Sequence, residues 1–204
     1  MATATSSRRL LPALALAGVA ALLAAGCGAS SGGGTTPTTA SHAATGPFAW
    51  LKASAPPSGW KIARLPSGKA ALAYPPGWRA IESDPGTVSA ALMGPHRRIR
   101  GYLNATPQGG RETLANWARF RPAHNHEEGD RAVQTVAAAA GLRFTQGTGS
   151  CVIDRYKTIS DRYREIACIV RGTHATTVVV GAAEPSAWAS LAPDLQRAVS
   201  SFST

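Results

Sequence analysis

The densest set of metal-ligating residue types in the chain is His124-Asn125-His126-Glu127-Glu128. On a helix His124 and Glu128 share a face and His126 does not; on a strand all three align. A zinc site takes three or four converging ligands, and only His96 and His174 stand elsewhere as candidate partners. The segment therefore reads as a solvated helix end or loop, and neither a metal nor a cofactor is expected. General acid–base chemistry needs paired carboxylates in a cleft. Asp154 and Glu165 are the plausible pair, and they fall on an expected strand face, where surface solubility is the simpler reading. Gly28-Ala29-Ser30-Ser31-Gly32 matches G-x-S-x-G, but a nucleophile elbow needs a strand before it and a helix after it, and this one lies in a Gly/Ser/Thr/Pro tract. No catalytic residue is assigned. Two basic sets remain: Arg97, Arg98 and Arg100 beside a turn, and Arg155, Lys157, Arg162 and Arg164 along one strand face. Each reads either as solvated surface or as a contact for an anionic neighbour. Trp50, Trp60, Trp78, Trp117 and Trp188 read as core, with a ligand pocket as the alternative.

What lies before the domain decides which neighbours are available. Arg8 and Arg9 precede an apolar run from Leu10 to Leu23. That run falls short of the about 20 residues a spanning helix needs, and the small residues Ala24-Ala25-Gly26 follow it, as in an export signal. The segment ends LLAAGC, at Cys27. This arrangement resembles the lipobox of bacterial lipoproteins, with Ala24 at the third position before the cysteine. The resemblance implies diacylglyceryl attachment to Cys27, cleavage just before it, and a location on the extracytoplasmic face of the cell membrane. Ser7-Arg8-Arg9-Leu10-Leu11 also loosely resembles a twin-arginine signal, so the export route stays open.

Of the 21 Lys and Arg residues, Arg8 and Arg9 leave with the leader; the remaining 19 against 11 Asp and Glu give a formal charge of +8. Such a charge sets association rather than fold. Outside the cytoplasm its partners are anionic lipid, acidic polymer or an envelope protein. Nucleic acid is not expected, because no recognition helix or stacking-aromatic motif is visible.

Cys151 and Cys168 end the stretch CVIDRYKTISDRYREIAC. A hairpin that pairs them turns between Ile159 and Ser160, sets Ile153 against Ile166, and sets Tyr156 against Tyr163. Export permits oxidation. With Cys27 lipidated, one connectivity remains, and closing this loop stabilises the fold by roughly 3 kcal/mol. The same register opposes Arg155 to Arg164 and Asp154 to Glu165, which is mildly destabilising. A bulge or a slip would relieve it. No C-x-x-C redox motif is present.

Three segments follow from composition: a signal peptide over 1–26, a flexible Gly/Ser/Thr/Pro-rich tether over 27–59, and one domain over 60–204. Residues 47–60 carry Phe48, Trp50 and Trp60 and either pack on the domain or stay loose. Strands are expected at Lys61–Leu65, Ala70–Tyr74, Trp78–Ile81, Thr87–Met93 and Ile99–Thr106. A helix is expected over Arg111–Arg121, ended by Pro122. Asp130–Ala140 is ambiguous between helix and strand, and Gly141–Thr145 is extended. Further strands are expected at Ser150–Lys157, Arg162–Arg171 and His174–Ala183. Trp188, Leu191, Leu195, Val199 and Phe202 form a helical stripe that starts at a Ser186 cap, and Pro193 predicts a kink or break.

The segment Tyr74-Pro75-Pro76-Gly77-Trp78 and the closing Ala198-Val199-Ser200-Ser201-Phe202, with a helix after the early strands, resemble the PsbP-like fold. GSCVIDRY (Gly149–Tyr156) and YREIACIV (Tyr163–Val170) are similar to segments of uncharacterised actinobacterial lipoproteins of that type. The resemblance implies an α+β domain: a mainly antiparallel sheet packed with a mid-chain helix and a C-terminal helix. It carries no catalytic residue over, because the fold serves unrelated jobs. The function it leaves in view is a non-catalytic envelope protein with a binding or accessory role. The alternative is an exported hydrolase or metal-dependent enzyme whose site is unrecognised.

Overall fold

A computed structural model describes residues 45–204. The signal, Cys27 and the G-x-S-x-G match lie outside the described residues. Chain order gives β1 (Lys61–Arg64), β2 (Ala71–Tyr74), β3 (Arg79–Ile81), β4 (Val88–Met93), β5 (Ile99–Pro107), α1 (Trp117–Glu127), β6 (Arg131–Phe144), β7 (Gly147–Lys157), β8 (Arg162–Gly172), β9 (Thr176–Ala183) and α2 (Pro185–Ser200). Strands β3 to β9 form one sheet in the order β3-β4-β5-β9-β8-β7-β6, and each neighbouring pair is antiparallel. β1 and β2 make a separate hairpin. An isolated bridge between Ala71 and Ser203 ties it to the end of the chain. The architecture is the α+β class expected from the sequence.

The two-residue period of the strands sorts side chains between two faces. One face presents Leu103, Cys151, Ile153, Ile166, Cys168 and Val179. Leu191, Leu195 and Val199 of α2 and Phe202 beyond it pack against that face, so the helical stripe is the seam between helix and sheet. Each such large apolar side chain stabilises by roughly 1.5–3 kcal/mol on full burial. The other face presents Val152, Ala167, Ile169, Val178 and Val180, and α1 covers it through Trp117.

Phe48 and Leu51 are buried in the first core, and Ser54 N–H donates to the Ser200 carbonyl. The ordered domain thus begins before residue 60, and the tether expected over 27–59 is too long at its C-terminal end. Phe48 and Leu51 together anchor the Pro-rich segment to the core.

α1 starts six residues later than expected and runs through Pro122. Thr113 N–H donates to Asn116 Oδ1 at 2.7 Å and Asn116 N–H to Thr113 Oγ1 at 3.1 Å, which closes a turn ahead of the helix. Proline inside a helix forfeits one hydrogen bond and strains the turn before it, but buried Trp117 and Asn125 pin the element on both sides of Pro122. α2 likewise runs unbroken past Pro193, and its cap is Glu184 with Pro185 in the first turn, not Ser186. The ambiguous region 130–140 and the extended segment after it are one 14-residue edge strand, interrupted by three register shifts. Such irregularities blunt an edge against pairing with another chain.

The β7–β8 register is the one read from the mirror symmetry: Cys151 opposes Cys168, Ile153 opposes Ile166, and Tyr156 opposes Tyr163. The Cys151–Cys168 disulfide is formed, with Cα atoms 4.1 Å apart. No slip relieves the opposed charges.

Candidate functional site

Arg155 and Arg164 face each other across β7 and β8, and Lys157 faces Arg162 one rung further on. Residues two apart share a face, so four cations stand together. Their face is the one that carries Cys151 and Ile153, beyond the first residues of α2. Trp188 of α2 reaches back, and the Arg164 guanidinium lies 4.6 Å from its ring centroid. Arg155 donates through Nε and Nη2 to Gln134 Oε1 of β6. These side chains, with Pro185 and Val136, line a groove of about 610 Å³, and no carboxylate is among its lining residues. Arg164 Nε is buried without a hydrogen-bond acceptor among the described residues.

The other basic set does not join them. Arg98 Nη2 pairs with Asp161 Oδ1 at 3.0 Å. Its Nε stands 2.5 Å from Glu184 Oε1, close enough for an ion pair but misaligned for a hydrogen bond. Arg97 and Arg100 are exposed and do not line the groove. Arg97 and His96 sit at the hairpin tip with φ of 61° and 54°.

Asp154 and Glu165 correct a sequence expectation. They are fully buried, not a solubilising surface pair, because their face of the sheet lies under α1 rather than in water. Arg121 of α1 donates Nε to Glu165 Oε1 at 2.7 Å and Nη2 to Glu165 Oε2 at 2.8 Å. Tyr156 hydroxyl donates to Glu165 Oε2 at 3.1 Å, and the Tyr102 and Tyr156 hydroxyls are 2.7 Å apart. Asn125 Nδ2 donates to Asp154 Oδ2 at 3.2 Å, while Asp154 Oδ1 and Asn125 Oδ1 have no partner among the described residues. Arg121 thus pairs directly with Glu165 and reaches Asp154 only through its charge. Burial, and next the charge of Glu165, push the Asp154 carboxyl up to about 8. Burial and Glu165 also push the Tyr102 and Tyr156 hydroxyls well above the usual phenol range, so both stay protonated as donors. Burial works against the Arg121 charge, but Glu165 beside it more than offsets this and keeps it cationic.

Sequence reasoning missed Arg121. Its signal was present: Trp117, Arg121 and Asn125 are spaced by four, so two polar residues lie on the stripe that Trp117 buries. A second cavity of about 610 Å³ opens beside this network, between α1 and the β4–β5 side of the sheet. Ser89, Asn104, Phe120 and His124 contribute to it. Its polar groups are largely engaged with one another: Asn104 Nδ2 donates to Ser89 Oγ at 2.9 Å, and Thr106 Oγ1 donates to Asn104 Oδ1 at 2.8 Å. His124 Nε2 is 3.2 Å from Glu128 Oε1, the i to i+4 pair of a helix face. His126 points elsewhere, its Nδ1 3.3 Å from the Asp130 carbonyl.

No protein-family model matches this chain, and no curated protein matches it. Solved structures do. The solution structure of cyanobacterial PsbP (CyanoP) from Synechocystis sp. PCC 6803 is 16% identical, with a TM-score of 0.51 over 70% of this chain and 91% of that one. LpqN, titled as involved in cell envelope biogenesis of Mycobacterium tuberculosis, is 14% identical, with a TM-score of 0.39 over 71% of this chain and 91% of that one. A Pseudomonas aeruginosa protein, titled a putative regulator, is 10% identical, with a TM-score of 0.40 over 69% of this chain and 94% of that one. At these identities only the CyanoP likeness carries an argument, and the argument is architectural. The seven-stranded antiparallel sheet with α1 on one face and α2 on the other has the PsbP-like α+β fold.

Proposed function

We propose that this chain is a non-catalytic, lipid-anchored protein of the cell envelope, held at the extracytoplasmic face of the membrane through Cys27, whose domain binds an anionic partner. The observation that carries the reading is the groove at Arg155, Lys157, Arg162 and Arg164, four cations with no carboxylate among them. The buried carboxylates support the non-catalytic half. Glu165 is fully buried and bound to Arg121 and Tyr156, and Asp154 is fully buried against Asn125, so neither meets a substrate. The LLAAGC sequence supports the anchor.

Fractionation with fatty-acid labelling tests the anchor. Wild-type protein is expected in the membrane fraction with label, and Cys27→Ser is expected to lose both. Unchanged retention and labelling would refute it. Adsorption of the Cys27→Ser chain to carboxylate and phosphate resins tests the anionic partner. Retention should weaken with salt, as screening of exposed charges requires.

A further inference from the structure

We propose that the groove between the β6–β8 strands and the start of α2 binds one anionic phospholipid of the surrounding bilayer, its phosphate on Arg155 and Arg164 and the top of its acyl region on Trp188 and Val136. This rests on the reading that the groove serves an anionic partner, and it names that partner. Four features point to it.

The first is the arrangement of charge. Like charges directly opposed on neighbouring strands are destabilising, yet two such rungs, Arg155 with Arg164 and Lys157 with Arg162, stand side by side. The comparable rung on the other face, Asp154 with Glu165, has Arg121 as its counter-ion. The basic rungs have no such partner in the groove. Asp161, which precedes Arg162, and Glu184, which precedes Pro185 of the groove wall, turn to Arg98 instead. A phosphodiester supplies the missing charge, and guanidinium groups recognise it through paired N–H donors.

The second is readiness of the donors. Arg155 is fixed by Gln134. Arg164 is fixed by stacking on Trp188. Its Nε is buried with no acceptor among the described residues, so the terminal amines are the groups left to meet a ligand. Groups held in place before binding lose little freedom when the ligand arrives.

The third is amphipathic shape. At about 610 Å³ the groove is far larger than a phosphate ion, and Val136, Pro185 and Trp188 give it an apolar wall. Val136 is 48% exposed. Ala132, also on the lining, has φ of 52°, in the left-handed region that a residue with a Cβ rarely adopts. Backbone strain of this kind persists where surrounding structure imposes it, and it clusters at ligand clamps.

The fourth separates a bilayer from a soluble anion. Ile159 is 93% exposed at the tip of the β7–β8 turn. That turn is closed by Thr158 N–H donating to the Asp161 carbonyl at 2.9 Å, and it is flanked by the Lys157–Arg162 rung. An apolar tip beside cations suits the boundary between headgroups and acyl chains, and a soluble acid gives it nothing to meet.

The full chain carrying Cys27→Ser is titrated with three probes: phosphatidylcholine vesicles with and without phosphatidylglycerol, dihexanoyl-phosphatidylglycerol below its micelle concentration, and glycerol phosphate. Binding is expected to the phosphatidylglycerol vesicles and to the short-chain lipid, and glycerol phosphate should be at least about tenfold weaker, since it lacks the buried methylenes. Arg164→Gln and the exposed Arg155→Gln should each weaken the short-chain lipid about tenfold, the loss of one charged contact. Both variants should keep the circular dichroism of the sheet, so that the loss is of binding and not of the fold. Ile159→Ser should weaken vesicle binding and leave the short-chain lipid unchanged. Equal affinity for glycerol phosphate and the short-chain lipid would overturn the proposal in favour of a small-anion site. Salt-sensitive vesicle binding that neither arginine substitution alters would overturn it too, while leaving a diffuse anionic contact standing. Failure to bind any anionic probe would remove both the proposal and the reading it rests on.

Discussion

Asp154→Asn removes the second carboxylate beneath α1 and leaves a side chain of the same shape. The groups that face Asp154 are Glu165 on β8, Arg121 and Asn125 on α1, and Asp130 just beyond it. Its carboxyl titrates near 8 in the folded chain and near 3.8 when unfolded. Between those values the folded state holds a proton that the unfolded state has released, so stability falls as pH rises. Each pH unit in that window is worth about 1.4 kcal/mol, which amounts to about 4 kcal/mol lost by pH 7 relative to acid. The Asp130 carboxyl is raised by its burial, then by Glu128 and Glu165, and acts with the same sign. Asparagine carries no such liability. Its oxygen can keep the Asn125 bond, but its amide then stands where Asp154 Oδ1 has no partner, at about 1–3 kcal/mol. The net expectation is a gain of about 1–3 kcal/mol at pH 7, growing towards pH 8 and reversing to a loss of about 1–3 kcal/mol near pH 4, where only the unpartnered amide is left. Urea unfolding from pH 4 to 8, followed by tryptophan fluorescence, measures it. A wild type whose stability is flat or rises over that range, or a variant less stable than wild type at pH 8, would show that Asp154 is ionised and stabilising.

Phe48→Ala should cost about 3 kcal/mol or more in chemical denaturation, as for a core aromatic, because the side chain is 1% exposed; a change near zero would return residues 45–59 to the tether. Replacing Cys151 and Cys168 together by Ala should lower stability by about 2–4 kcal/mol and leave the circular dichroism of the sheet in place. Peptide mapping without reductant should recover the two cysteines in one cross-linked fragment, and two alkylatable thiols would contradict the bond.

The β7–β8 hairpin was legible because its information is local. Its two strands lie within one stretch of sequence, the apolar and cysteine positions recur at a period of two, and a short turn fixes which residues meet. Leu191, Leu195 and Val199 were legible for the same reason, through a period read within one helix. Helix starts were less so. Arg111 to Arg121 has helical spacing, yet the chain turns at Thr113 and Asn116 and begins the helix at Trp117, because Trp117 and Asn125 have a sheet to pack against. Proline did not stop either helix once such packing outweighed its local penalty.

What the sequence by itself determined was pairing: which cysteines meet, and a register that opposes Arg155 to Arg164 and Asp154 to Glu165 so long as no bulge or slip intervenes. It could not say which side of the hairpin would face water, since alternation defines two faces without ranking them. The tertiary structure decided that when α1 settled over the acidic rung and brought Arg121 to Glu165 from 44 residues away. A buried charge left unpaired is costly; Glu165 has Arg121 as its partner, and burial raises the Asp154 carboxyl instead. The basic rungs were left at an open groove, where the counter-charge has to come from outside the chain.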